Sequence, residues 1–166
     1  MSIHIDHTYA PGAIGRITEM HAAYYAQQWG FGVYFEAKVA TDLSVFLSRF
    51  DTKRDGFWLA RQDEGQIVGS MAIDGIKADT DGAHLRWFIL DPVCQGQGIG
   101  NRLMTEAINF CLQRKYTRIY LWTFAGLDAA RHLYEKHGFT LCQELNAEQW
   151  GISMQEQMFE LVNGDL

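Results

Sequence analysis

The segment Leu85–Gly100, LRWFILDPVCQGQGIG, constrains the fold more than any other part of this sequence. Its apolar run Trp87–Leu90 predicts a strand that stops at Asp91-Pro92. A glycine-rich turn follows, and an amphipathic helix is predicted over residues 99–114. Glycines leave backbone N–H groups uncovered, here where the helix dipole is positive. The unit therefore predicts a site for phosphate oxygens at the carboxyl end of the strand.

Glycines at 96, 98 and 100 do not by themselves require a ligand, because many strand–turn–helix units use glycine only to form the turn. The loop is not a P-loop, since no Gly-Lys-Ser/Thr follows it. Its spacing also differs from the Gly-x-Gly-x-x-Gly of dinucleotide-binding folds. The pattern that the loop does contain is Gln95-x-x-Gly98-x-Gly100.

The composition predicts a globular protein in a single domain over residues 1–166, since 48% of the chain is apolar. A net charge of −6 argues against nucleic acid as the main partner. No apolar run has membrane-spanning length, so no membrane partner is expected. The three cysteines, Cys94, Cys111 and Cys142, form no Cys-x-x-Cys pair. We therefore expect neither a disulfide framework nor a metal site, and a cytoplasmic location.

Hydrophobic periodicity predicts the order β-α-α-β-β-β-α-β-α-β-β, which is an α/β (α+β) mixed sheet with helices on both faces. The expected strands cover residues 3–9, 56–62, 66–76, 84–90, 117–123, 140–145 and 153–162. The expected helices cover residues 13–29, 34–50, 99–114 and 127–137.

Two motifs in this order resemble the GNAT superfamily of acetyl-CoA-dependent N-acetyltransferases. The first is Gln95-x-x-Gly98-x-Gly100, which is similar to the family's pyrophosphate-binding loop. The second is LYEKHGF at residues 133–139, which resembles the family's Leu-Tyr-Glu-x-x-Gly-Phe block. Almost the whole chain is similar to the GNAT domain that some bacteria fuse behind a MarR-type regulator. The resemblance implies the GNAT fold, with a central, mostly antiparallel mixed sheet.

The resemblance also implies which residues bind acetyl-CoA. The loop and the first turn of the helix would hold the pyrophosphate, and the preceding strand would pair with the pantetheine arm. That strand is expected to splay from residues 119–123 and open a V-shaped slot, in which the Leu90 N–H polarises the thioester carbonyl. The expected cofactor residues are Phe88, Ile89, Leu90, Gln95, Gly96, Gln97, Gly98, Ile99, Gly100, Asn101, Arg102, Thr123, Ala130 and Tyr134.

Tyr134 is the expected catalytic acid, because the tyrosine at this place in the motif protonates the departing thiolate in many family members. A phenol has a pKa high enough to hold that proton at neutral pH. Glu36 is the expected general base, with His21, Glu144 and His84 as alternatives. Aromatic residues could line an acceptor pocket or belong to the core, and these are Tyr24, Tyr25, Trp29, Tyr34 and Phe35.

The resemblance thus predicts an N-acetyltransferase that moves acetyl from acetyl-CoA to a primary amine of a small molecule or peptide by direct attack. One alternative is a non-catalytic acyl-CoA sensor that uses the same loop without turnover. Another is a generic nucleotide-binding α/β domain, which would not explain two family motifs in the correct order. The resemblance also implies a homodimer that forms through the C-terminal strands, as is usual in the family.

Overall fold

The computed structural model describes residues 2–148, 150 and 152–162. The domain expected over residues 1–166 also includes Met1, Gln149, Gly151 and residues 163–166, which lie outside the described residues. Of the helices described here, none is long and apolar enough to cross a membrane. The elements in chain order are β1 Ile3–Asp6, α1 Ala13–Trp29, α2 Val33–Ser48, β2 Gly56–Gln62, β3 Ile67–Asp74, β4 Ala83–Leu90, a 3-10 turn Pro92–Cys94, α3 Ile99–Gln113, β5 Arg118–Phe124, α4 Asp128–Lys136, β6 Thr140–Ala147 and β7 Met154–Val162.

The seven strands form one mixed sheet in the order β1-β2-β3-β4-β5-β7-β6. Every neighbouring pair is antiparallel except β4 and β5, which are parallel. The predicted fold class is therefore confirmed. The order places the single parallel pair in the middle of the sheet.

Two hydrophobic clusters pack the helices onto opposite faces of this sheet. One cluster unites α3 with the sheet, and its buried side chains include Leu103 and Met104 from α3 and Phe159 from β7. The other unites α1 and α2 with the opposite face, through Ile17 and Leu43 among others. The apolar stripe of each helix therefore determines which face of the sheet the helix covers.

Strand β4 contains a bulge that its sequence alternation does not show. Ser70 of β3 pairs with Ile89 and Ala72 pairs with Arg86, so Trp87 and Phe88 together lie opposite one residue of β3. Trp87 has a φ of 49°, a left-handed conformation that is rare for a bulky residue. The buried Ser70 hydroxyl donates a 2.6 Å hydrogen bond to the Trp87 carbonyl, which holds the bulge in place.

The parallel strands β4 and β5 pair at one end only. Within the described chain, their register consists of Ala83 with Ile119 and His84 with Tyr120. Beyond these pairs the strands separate, while β4 stays bonded to β3 and β5 to β7. A slot therefore opens through the centre of the sheet toward the carboxyl ends of both strands, as the resemblance implied.

Candidate active site

A cavity of about 500 Å³ occupies the slot between β4 and β5. Its walls come from residues 85–90 of β4, 121–124 of β5, the loop before α3, and α4. Side chains of α1 and α2, among them Tyr25 and Phe35, close the far side. A volume of this size suits a small-molecule ligand.

The loop before α3 presents a row of backbone donors to this cavity. Among the described residues, the N–H groups of residues 96–101 have no hydrogen-bond acceptor. Gly96 and Gly98 each have a φ of 78°, which lets the loop turn its N–H groups to one side. Gly98 is also the N-cap of α3, so the positive end of the helix dipole lies at the same place. This geometry favours an anion such as a phosphate.

Gly100 is required for a different reason, which is close packing. A Cβ at this position would lie 3.3 Å from the Leu133 side chain and 3.4 Å from the Phe88 ring. Glycine therefore lets the first turn of α3 approach both α4 and β4. The donors of the loop are thereby held close to the slot.

Most of the expected cofactor residues line the cavity, but two do not. Those on its wall are Phe88, Ile89, Leu90, Gln95, Gly96, Gly98, Ile99, Gly100, Asn101, Thr123, Ala130 and Tyr134. Gln97 is exposed and its amide donates to the Val93 carbonyl, whereas Arg102 donates to the Ile3 carbonyl at 3.0 Å and fastens β1. The side-chain oxygen of Asn101 accepts from the His137 imidazole at 3.0 Å.

The Leu90 N–H points into the slot. The next amide, Asp91 N–H, donates to the Val68 carbonyl of β3 at 2.7 Å. Because N–H directions alternate along a strand, the Leu90 N–H faces away from β3 and toward the unpaired stretch of β5. Polarisation of the thioester carbonyl by the Leu90 N–H stays a prediction. That role requires an N–H directed into the slot, which is the direction found here.

Tyr134 extends from α4 into the protein interior with only 5% of its surface exposed. Its ring packs against Phe88, Phe139 and Phe159. Burial, with a smaller effect from Tyr25, raises the pKa of the Tyr134 phenol above its ordinary value. In the described part of the chain the hydroxyl has no hydrogen-bond partner, yet it is not sealed from solvent, so it opens onto the cavity. The group is a protonated phenol that faces the slot.

His21 lies on the same cavity as a neutral imidazole. Its Nδ1 lies 2.8 Å from the Ile17 carbonyl, and a carbonyl can only accept, so Nδ1 bears the hydrogen and Nε2 has a lone pair. Burial lowers the pKa of His21 to about 4, although the bond to Ile17 opposes this shift. The ring stacks on Tyr25, with centroids 6.3 Å apart.

The other candidate bases are divided between the cavities and the surface. Glu36 is exposed in the first turn of α2 and lies on neither cavity wall. Glu144, on the exposed strand β6, accepts from the amides of Gln155 and Gln157. His84 lines a second cavity, and burial, with help from the Arg86 charge, lowers its pKa to about 3. The two histidines are thus placed better than the two carboxylates.

The second cavity, of about 360 Å³, lies beside the first and shares Phe35, Val39 and Thr123 with it. The sequence analysis did not identify its charged and polar wall residues, which are Lys38, Asp42, Arg86, Trp150 and Glu156. One signal was available, namely an arginine inside a strand of mainly apolar residues. Of the five aromatic candidates, Tyr24, Tyr25 and Phe35 line a cavity, whereas Trp29 and Tyr34 do not.

The sequence of the chain matches the model of the acetyltransferase (GNAT) family over residues 15–139. That match includes both the donor loop and Tyr134. The chain belongs to the GNAT family.

Curated relatives of this GNAT chain include N-acetylaspartate synthetases. Those from Danio rerio and Homo sapiens are 31% and 30% identical to it over 122 and 118 residues. These stretches cover 72% and 70% of this chain, but 42% and 38% of the relatives. The chain thus spans about two fifths of the length of the curated relatives that it matches.

Solved structures of GNAT proteins share the whole fold. An acetyltransferase from Staphylococcus aureus Mu50 has a TM-score of 0.77 at 19% identity, with 97% of this chain and 99% of that chain covered. A phosphinothricin acetyltransferase from Sinorhizobium meliloti, solved in complex with AcCoA, has a TM-score of 0.72 at 17% identity, with coverage of 98% and 89%. At these identities the likeness shows the fold alone.

Acidification should destabilise the protein through His21. Because its folded pKa of about 4 lies below the ordinary histidine pKa of 6.5, the unfolded state binds more protons between these two values. The free energy of unfolding should therefore fall as the pH is lowered through that window. His21→Gln should lose about 3 kcal/mol less of its free energy of unfolding over the same range, because lowering a pKa by one unit corresponds to 1.36 kcal/mol. Urea titrations at a series of pH values measure the free energy of unfolding of both proteins. His132→Gln is the control for substituting an imidazole. If the free energies of wild type and His21→Gln fell equally as the pH was lowered, the lowered pKa of His21 would be contradicted.

Proposed function

We propose that this chain is an N-acetyltransferase that moves the acetyl group of acetyl-CoA to a primary amine by direct attack. The observation that supports this most strongly is a single cavity whose wall includes both the donor loop and a buried, protonated phenol. On that wall, the N–H groups of Gly96 and of residues 98–101 have no acceptor among the described residues, and the phenol belongs to Tyr134. Anion binding and proton donation are thus available on the wall of one slot.

The chain's own residues fit coenzyme A. The N–H groups of residues 96–101 would hold the pyrophosphate, as donors at the positive end of α3. The unpaired edge of β4 at Phe88–Leu90 would bond the amides of the pantetheine arm as an added strand does. Thr123 and Ala130 lie on the facing wall. When bound, acetyl-CoA supplies an activated acyl thioester and a thiolate leaving group.

Tyr134 supplies the proton in this proposal. Its raised pKa keeps the phenol protonated at neutral pH, and its hydroxyl opens onto the slot. The phenol gives its proton to the thiolate as the carbon–sulfur bond breaks. The proton that the attacking nitrogen loses then returns to the phenolate, so no negative charge remains in the cavity. The Leu90 N–H, directed into the same slot, would stabilise negative charge on the acyl oxygen.

The amine must be neutral when it attacks, and neutral imidazoles lie on both cavities. His21 offers an Nε2 lone pair on the wall of the first cavity, and His84 is a neutral ring on the wall of the second. With pKa values of about 4 and about 3, both rings are hydrogen-bond acceptors at neutral pH and weak bases. We therefore assign them to accepting a proton through water, with Glu36 as the carboxylate alternative.

The acceptor is proposed to be the amine of a small molecule or peptide. The relatives named N-acetylaspartate synthetase support an amino-acid amine, and spermidine N-acetyltransferase of Vibrio cholerae, solved with CoA and spermine, shares the fold at 16% identity and a TM-score of 0.70. Both names describe primary amines. A cytoplasmic location stays a prediction, supported by Cys94 and Cys111, which are buried and unpaired.

The homodimer also stays a prediction. Strand β6 lies at one edge of the sheet, and its residues 140–146 are exposed, with Leu141 and Leu145 at 36% and 44%. An exposed edge with apolar side chains is a surface on which a second copy can pair. Light scattering should give a molar mass near twice 18.9 kDa, and the mass of one chain would refute the dimer.

Replacing Tyr134 with Phe separates an enzyme from an acyl-CoA sensor. The variant keeps the ring packing and loses only the hydroxyl, so kcat should fall roughly 100-fold while affinity for acetyl-CoA stays within about twofold. Thiol release with an amine panel measures kcat, and calorimetry measures affinity. Tyr9→Phe, at an exposed position away from the cavity, is the matched control. Turnover at the wild-type rate in Tyr134→Phe would exclude Tyr134 as the acid, and no turnover with any amine would favour the sensor.

A further inference from the structure

The second cavity contains an arginine, Arg86, whose ion pairs are longer than those of the cations around it. The relevant cluster has three cations, Lys38, Arg49 and Arg86, and two carboxylates, Asp42 and Asp74. It joins α2 to β3 and β4 on the face that α1 and α2 cover. The cluster therefore has one more positive charge than negative charge.

Each carboxylate already has a closer cation than Arg86. Asp42 is 3.1 Å from the Lys38 ammonium, and Asp74 is 2.6 Å from Arg49, with a second hydrogen bond at 3.1 Å. Arg86 lies 3.4 Å from Asp42 and 4.0 Å from Asp74. The ion pairs of Lys38 and Arg49 would consequently remain if Arg86 were replaced.

Other nearby charges do not neutralise Arg86. After burial, the groups that act on its pKa are Asp42, Asp74 and Tyr120, which raise it, with a smaller opposite effect from Arg49. Asp55, which acts on Arg49, is paired with Arg54 at 3.2 Å. Glu156, on β7, lines the same cavity and accepts a 2.9 Å hydrogen bond from the Trp150 indole.

The guanidinium of Arg86 is nevertheless partly desolvated and fixed in place. Its side chain is 26% exposed, and its Cζ lies 4.2 Å from the centroid of the Trp87 ring. The bulge in β4 produces this stacking, because it puts two consecutive side chains on one face of the sheet. In the part of the chain described, this five-donor group makes one hydrogen bond, the long one to Asp42.

We propose that Arg86 binds the carboxylate of the acceptor, so that the acceptor is a free amino acid or a similar amine that bears a carboxylate. The proposal rests on the proposed acetyltransferase function and names its substrate class. A carboxylate matches the guanidinium fork in two parallel hydrogen bonds. It also neutralises a cation whose burial otherwise lowers its pKa. Because Arg86 lines both cavities, an amine attached to that carboxylate lies at the slot.

Matched acceptors test this assignment. L-aspartate, L-glutamate, L-methionine and L-phenylalanine are each compared with the corresponding α-amide, which keeps the amine and lacks the α-carboxylate. With wild-type protein, kcat/KM should be roughly 10- to 100-fold higher for the acid in at least one pair, the range of a charge-assisted bidentate contact. Arg86→Gln should reduce this ratio to about 1, and Arg86→Lys should retain part of it.

Two controls make the outcome interpretable. Arg131→Gln removes an arginine that is also ion-paired, at 2.7 Å to Glu135, and near an aromatic ring, but lies outside both cavities. It should keep the wild-type ratio. Calorimetry with acetyl-CoA shows that each variant is folded, with an affinity near that of the wild type.

The possible failures point to different conclusions. Acetylation of acids and amides with equal efficiency by the wild type, or a preference that persists in Arg86→Gln, would overturn the role of Arg86 and leave the acetyltransferase function standing. Binding of acetyl-CoA without acetylation of any of the eight acceptors or of simple amines would refute the proposed function, and the role of Arg86 would fall with it.

Discussion

The separation of β4 from β5 is the constraint on which the rest of the structure depends. A parallel pair in the middle of a sheet is normally bonded along its length, yet here the register covers two residue pairs at one end. The separation leaves a backbone edge without a partner, and it opens the first cavity, beside which the second cavity lies. Buried backbone groups require hydrogen bonds, so a slot of this kind is stable when a ligand or water completes it.

The two sides of the slot have different physical character. On the α3 side, the positive potential comes from backbone N–H groups and a helix dipole. An anion can therefore bind there without side-chain cations, in a chain whose net charge is −6. On the α2 side the positive potential is supplied by side chains, in a cluster with one cation in excess. Aromatic side chains from α1, α2 and β5, including Tyr25 and Phe124, pack between them. In the proposed reaction, acetyl-CoA and the acceptor amine would thus contact different kinds of groups.

The sequence predicted the elements well wherever local signals were complete. Helix α1 begins and ends as predicted, because its apolar spacing is closed by Gly30 in the left-handed conformation. Strand β3 ends at Asp74, two residues earlier than predicted, where the Asp74 carboxylate accepts from the Ile76 N–H and from Arg49. The donor loop was predictable because its glycines and the helix after it are contiguous. The stacking of Arg86 on Trp87 was not predictable, since it depends on a bulge that puts both side chains on one face of the sheet. In that bulge Trp87 has a left-handed conformation, against its own preference.

Calorimetric titration of acetyl-CoA into wild type, Gly98→Ala and Gly12→Ala tests the central claim most directly. The two glycines are matched: each is the N-cap of a helix, with a φ of 78° or 90° and open space where a Cβ would lie. Alanine should strain both backbones by about 1–2 kcal/mol, but only at Gly98 does the strain fall on the unpaired donors. The account predicts that wild type and Gly12→Ala bind acetyl-CoA alike, that Gly98→Ala binds at least about 10-fold more weakly, and that ATP gives no signal. Equal affinity in both variants, or no binding by the wild type, would contradict it.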